Sequence, residues 1–179
     1  MLLNLFKVDG RLAPRRVLAA ISLASVAMLV FGLYLQHYLD LNPCPMCIVQ
    51  RYALIFVAVF AGLASATGKK SLWITGTLLT LLSAGFGAFT AANQSWLQWF
   101  PPEVATCGRD LYGMIETFPL KRAIPMIFRG GGDCSVVDWT FLGGSIANWS
   151  FVWFLVFAVL LLVLLVRGGR GAPDTLARA

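Results

Sequence analysis

Charge is scarce in this chain. Only 12% of its 179 residues are Asp, Glu, Lys or Arg, about half the ~25% of an ordinary soluble domain. Hydrophobic residues reach 59%, against a usual ~45–50%. A globule of this length has too little interior to hide so much apolar surface. The same poverty of charge excludes a disordered chain, which needs a polar composition. No internal repeat is present, which excludes a fibrous or solenoid array. Four cysteines are too few for a small disulfide-stapled secreted domain and few enough to be read one by one. Neither a haem-attachment C-x-x-C-H, a dinucleotide glycine pattern nor a P-loop occurs, so a tightly held nucleotide is not expected. The class that remains is a helical membrane protein.

Four apolar stretches stand out, at about 17–35, 47–67, 72–92 and 149–166. Each is near the ~17–25 residues that carry a helix across hydrocarbon, where only structures that satisfy their own backbone polar groups survive. The first stretch exceeds the apolar core of a signal peptide, and Tyr34-Leu35-Gln36-His37 is no small-residue cleavage site, so it reads as a retained span. The chain 1–179 is thus predicted to be one integral membrane domain, an all-α bundle of four transmembrane helices embedded in a lipid bilayer.

Orientation follows from the basic residues. Lys7, Arg11, Arg15, Arg16, Lys69, Lys70, Arg167, Arg170 and Arg178 all fall on one side, with only Asp9 and Asp174 against them. The opposite loops, about 36–46 and 93–148, carry more acid than base. Both termini are predicted to be cytoplasmic. The net charge of +6 is therefore explained by topology, and no nucleic-acid partner is expected. Trp96, Trp99 and Trp149 suit an aromatic belt at the outer interface. The stretch 111–128, broken by Pro119 and Pro125, is predicted to be a short helix lying on the membrane surface.

All four cysteines fall at the outer loops or the adjoining helix end, on the side that is oxidising in a bacterial plasma membrane. Cys44-Pro45-Met46-Cys47 is a C-x-x-C, either a redox pair or half of a zinc site. It opens span two, where free backbone N–H groups and the helix dipole favour a thiolate. Arg51 lies one turn deeper on the same face. It reads as a snorkelling interfacial arginine, or as a cation that supports a thiolate or holds the oxygen of an electron acceptor. Cys107 and Cys134 are the second pair, either a static staple or a mobile redox pair; Gly130-Gly131-Gly132 before Cys134 suits a cysteine that moves between partners. A relay from a soluble dithiol through the two pairs would need a two-electron sink, and the bilayer offers a lipid-soluble quinone. No metal site is expected from the spacing.

Gln36-His37, then Asn42-Pro43-Cys44-Pro45-Met46-Cys47-Ile48 with Gln50-Arg51 behind, resembles the disulfide bond formation protein B (DsbB) family. So do Pro101-Pro102, Ala105-Thr106-Cys107, Gly132-Asp133-Cys134, Trp139 and Phe141-Leu142-Gly143. The resemblance covers nearly the whole chain. It implies a thiol:quinone oxidoreductase of the bacterial inner membrane that reoxidises a periplasmic DsbA-type dithiol oxidase, using the membrane quinone pool (ubiquinone or menaquinone). The catalytic residues it implies are Cys44, Cys47, Cys107 and Cys134. It also implies Cys44–Cys47 and Cys107–Cys134 pairs at rest, with Cys44–Cys134 as an intermediate. Some family members carry a histidine near the outer end of span three, where this chain reads Asn93-Gln94-Ser95. Gln94 joins Arg51 and Cys47 as a quinone-binding candidate that hydrogen-bonds without carrying charge. The sole histidine, His37, reads as a polar cap on span one in preference to a proton carrier. Two other classes compete: a zinc- or disulfide-stabilised structural protein, and a small-molecule transporter, for which the spans hold almost no charge.

Overall fold

The computed structural model describes residues 12–39, 44–101, 132–135, 137 and 139–170. Cys107, Gly130, Gly131 and the surface helix expected at 111–128 lie outside the described residues. The elements run in the order α1 (Leu12–Tyr38), α2 (Pro45–Ala66), α3 (Lys70–Trp99), a one-turn α4 (Gly132–Ser135), the strands β1 (Thr140–Phe141) and β2 (Gly144–Ser145), and α5 (Ile146–Arg170). Helices α1, α2, α3 and α5 are each long and apolar enough to cross a membrane. The fold is an all-α, four-span membrane bundle, and the chain is a multi-pass membrane protein.

The helices run a few residues beyond most of the expected span limits, and two departures from the sequence reading shape the site. Helix α3 continues to Trp99, so Asn93, Gln94 and Ser95 are helical and do not open a loop. Hydropathy fades there because the residues are polar, but a polar helical turn at an interface keeps its backbone bonds. Before α5, residues 140–145 form a two-residue antiparallel hairpin pairing Thr140 with Ser145 and Phe141 with Gly144. Leu142 (φ 50°) and Gly143 (φ 80°) both take positive φ at its tip, the pattern of the tight turn whose twist matches paired strands. Trp149 is tied into this hairpin, its indole N–H donating to the Phe141 carbonyl at 2.9 Å, while Trp96 and Trp99 stand exposed on the last turn of α3.

Helix α2 packs on α1 and α3, and α3 packs on α5; α1 and α5 meet at few points. The core between them is built from Leu18, Ile21, Val57, Ala61, Phe154, Phe157 and Leu161, all buried. Small residues bring the helices close, as lipid gives apolar side chains no reason to leave it. A Cβ on Gly76 would sit 2.8 Å from the Ala64 Cβ. The buried hydroxyls of Ser25, Thr77, Thr80 and Thr90 return to the carbonyl one turn back, so none is left unpaired in the apolar core. At the end of the bundle opposite the cysteines, Arg15 closes the α2–α3 turn by donating to the Thr67 carbonyl at 2.7 Å.

Gly87 carries the tightest approach: a Cβ there would lie 2.4 Å from the Phe154 ring, whereas one on Gly85 would meet nothing within 4 Å. Gly87→Ala is expected to destabilise the bundle by about 1–3 kcal/mol through overpacking. Gly85→Ala is expected to be neutral or to stabilise by up to ~1 kcal/mol through helix propensity. Thermal unfolding of the two variants in one detergent, followed by far-ultraviolet circular dichroism, checks the contrast.

Candidate active site

The first turn of α2 sets the site. Cys44 is its N-cap, with extended backbone (φ −65°, ψ 161°), and its sulfur accepts the Cys47 backbone N–H at 3.3 Å. Pro45 follows in the first turn, where its missing N–H costs nothing because that position has no intrahelical acceptor. Capping by a sulfur brings the Cys44 side chain over the helix end, and the Cys44 and Cys47 sulfurs stand 2.8 Å apart. Neither is joined in a disulfide.

Cys134, on the one-turn α4, is fully buried against Cys44 and Met46. Its thiol hydrogen-bonds that of Cys44, and this contact, the Cys47 thiol and burial together push the Cys44 thiol far above its ordinary range. Cys44 is thus held protonated while both neighbours are thiols. With Cys44 in contact with both Cys47 and Cys134, one disulfide can pass between two pairings, since exchange needs only an attacking sulfur and an adjacent bonded one.

From α3, Gln94 aims its amide nitrogen at both α2 sulfurs, 3.3 Å from Cys44 and 3.2 Å from Cys47. Its carbonyl oxygen accepts from the Gln50 amide at 2.7 Å and, over the longer distance of 3.7 Å, from the Cys47 thiol. Arg51 points toward α1, donating to the Gln36 side-chain oxygen and, at 3.2 Å, to the Gly32 carbonyl. Both acceptors are neutral oxygens.

These groups line a cavity of about 700 Å³. Cys44, Cys47, Gln50, Arg51, Gln94 and Gln98 supply polar atoms and sulfur; Phe31, Leu35, Trp139, Phe141, Trp149 and Trp153 supply the apolar surface. Phe31 and Trp139 meet edge to face with centroids 6.1 Å apart. Ser145 of the hairpin donates to Gln98 at 2.6 Å, fixing β2 to α3 across the cavity rim. The volume and the mixture of aromatic lining with a few convergent polar groups are those of a small-molecule site.

Of the residues singled out from the sequence, Cys44, Cys47, Cys134, Arg51 and Gln94 come together here. Cys107 lies outside the described residues. Gln94 was expected to face an electron acceptor; its amide also reaches the sulfurs themselves. The sequence reading assigned no role to Gln50, Gln36 or Gln98. One signal for Gln50 was present: it stands three residues after Cys47, on the same helical face.

The sulfur geometry has a direct check. With Cys47 and Cys107 both changed to Ala, mild oxidation is expected to form an intramolecular Cys44–Cys134 disulfide. With Cys44 and Cys107 changed instead, Cys47 is expected to cross-link to Cys134 several-fold more slowly. Non-reducing peptide mass spectrometry reads both.

Comparison with known proteins bears on what such a site is for. The model of the family described as disulfide bond formation protein DsbB matches residues 14–164. A protein of Acidovorax sp. (strain JS42) named disulfide bond formation protein B is 79% identical over 167 residues, covering 93% of this chain and 96% of the relative. The protein of that name from Paracidovorax citrulli is 70% identical over 160 residues, 89% of this chain and 91% of its own. That from Azoarcus sp. (strain BH72) is 51% identical over 153 residues, 84% and 92% of the two chains.

Proposed function

This chain belongs to the disulfide bond formation protein DsbB family and is a disulfide-forming membrane oxidoreductase; on that premise we propose that it carries electrons from a periplasmic DsbA-type dithiol oxidase to a membrane quinone. The observation that carries this reading is the Cys134 thiol seated on Cys44, at the wall of a cavity that also bears Cys47 and Arg51.

The resting pairs are Cys44–Cys47 and Cys107–Cys134. A thiolate of the reduced partner attacks Cys107, forming a mixed disulfide and releasing Cys134 as a thiolate. Cys134 attacks Cys44, forming Cys44–Cys134 and releasing Cys47 as a thiolate. The partner's second thiol resolves the mixed disulfide, leaving the partner oxidised and Cys107 reduced. Cys107 then regains Cys134, and the two electrons rest on the Cys44–Cys47 dithiol. Burial of Cys134 beside Cys44 supports the internal transfer, because a preset attack distance removes the entropy of search.

The cavity fits a quinone headgroup. Aromatic rings line it, with hydrogen-bond donors and Cys47 among the lining groups. When bound, a quinone supplies a two-electron, two-proton acceptor. Arg51 would hold its carbonyl oxygen by a charged hydrogen bond, and Phe31 and Trp139 would pack its ring. The N-terminus of α2 and the Arg51 cation both favour negative charge on Cys47. In this reading the cysteine end of the bundle faces the periplasm, and the Arg15 and Lys69–Lys70 end faces the cytoplasm, with both chain termini.

Anaerobic absorbance of quinone, mixed with protein and a reduced DsbA-type partner, tests the proposal. The oxidised quinone band is expected to decay with the unaltered protein and to persist with Cys47→Ser. Arg51→Met is expected to slow the decay by about tenfold or more, the loss of one charged hydrogen bond. Persistence of the band with unaltered protein, an active partner and several quinones would overturn the reading.

A further inference from the structure

A primary amide is two-faced. Its N–H₂ end stabilises a thiolate, and its carbonyl end repels one. Gln94 is therefore useful to the sulfurs only in one of its two orientations. Its own connection to α3 does not select between them, because the two ends have nearly the same shape.

Selection comes from the neighbouring helix. Gln50 donates its amide N–H to the Gln94 carbonyl oxygen at 2.7 Å, and the Gln94 nitrogen then faces Cys44 at 3.3 Å and Cys47 at 3.2 Å. Both side chains are buried, Gln50 at 5% and Gln94 at 4% exposure, so water has little access to either. Turning the Gln94 amide with Gln50 in place would set N–H against N–H at Gln50 and, once Cys47 is a thiolate, bring oxygen against its sulfur. Each mismatch leaves a buried polar group unpaired, at about 1–3 kcal/mol.

We propose that Gln50 is a positioning residue that locks Gln94 with its N–H₂ group toward the sulfurs, so that a neutral amide pair stabilises the Cys47 thiolate. The pair carries no charge, so its orientation holds while the charge on the sulfurs changes. The inference rests on the relay reading for its use of a Cys47 thiolate. The titratable groups lining the same cavity are Cys44, Cys47 and Arg51, with Cys134 against Cys44.

The test needs neither quinone nor partner. Full-length protein is fully reduced in detergent and pulsed with iodoacetamide, and tandem mass spectrometry reads alkylation at Cys47. Near neutral pH, Gln50→Leu and Gln94→Leu are each expected to slow that reaction about tenfold, as for one lost charge-assisted hydrogen bond. The double variant is expected to be no slower than either single one. Gln50→Glu adds a signature that a packing role would not produce. While its carboxylic O–H can donate to the Gln94 carbonyl, Cys47 reacts as in the unaltered protein. As the carboxyl ionises it can only accept, Gln94 turns, and the rate relative to unaltered protein falls. That fall shrinks in the Gln94→Leu background. If Gln50→Leu leaves Cys47 alkylation unchanged while Gln94→Leu slows it, the proposal is overturned. A Gln50→Glu fall that persists undiminished without Gln94 overturns it too, since direct charge repulsion would then suffice. If Gln50→Leu does not fold, the Gln50→Glu profile decides alone. A failed relay shows separately, as absent quinone reduction by unaltered protein.

Discussion

A helix that begins inside a membrane boundary leaves backbone N–H groups with no carbonyl to meet, and hydrocarbon offers them no water. In α2 one of those groups is met by sulfur: the Cys47 N–H donates to the Cys44 side chain. This one contact starts the helix and folds Cys44 back over it. It brings the two sulfurs together and sets them where the helix dipole favours negative charge. The rest of the site is arranged around that turn. Cys134 rests on Cys44 from one side, Gln94 reaches both sulfurs from α3, and Arg51 follows one turn deeper. In the proposed relay, structural capping and redox chemistry use the same atoms.

The polar equipment of the site is almost uncharged. Gln36, Gln50, Gln94 and Gln98 line the cavity, with Arg51 as the fixed charge on its wall. In a low-dielectric setting an ionised carboxylate near a thiolate would repel it strongly. Amides offer directed donors without that repulsion, provided their orientation is set by a partner. The Gln50–Gln94 contact and the Ser145–Gln98 contact both meet this need.

Much of this was legible from the residues. Four apolar runs announce four spans, because hydrocarbon thickness fixes helix length. The C-x-x-C with Arg51 behind it marks the end of the bundle where sulfur and polar side chains gather, the face proposed for the redox chemistry. What hydropathy misses is polar helix at the interface, so the last turns of α3 read as loop although Gln94 and Gln98 owe their aim to those turns. The hairpin at 140–145 was missed for another reason. Phe141-Leu142-Gly143-Gly144 lacks the Asn-Gly signal of its turn, and Leu142 takes a positive φ that few leucines adopt. The closeness of Cys134 to Cys44 is a tertiary fact that no spacing encodes. The partner of an amide is equally invisible in sequence, which is why Gln50 carried no assigned role.

The order of helix contacts has a further consequence. Because α1 scarcely touches α5, the bundle is an open row of pairs, α1 to α2 to α3 to α5, and not a closed ring. A row has two loose ends, and here the cavity lies between them. Among the described residues, the ends approach at few points, and aromatic side chains add to these, among them Phe31 of α1 against Trp139 ahead of the hairpin. Parting such a ring pair forfeits about 0.5–1.5 kcal/mol beyond its buried area, while each helix-to-helix seam stays whole. Among the described residues, the sulfurs thus sit behind a side of the bundle joined chiefly by side-chain contacts, while the helix seams that hold them in register lie elsewhere.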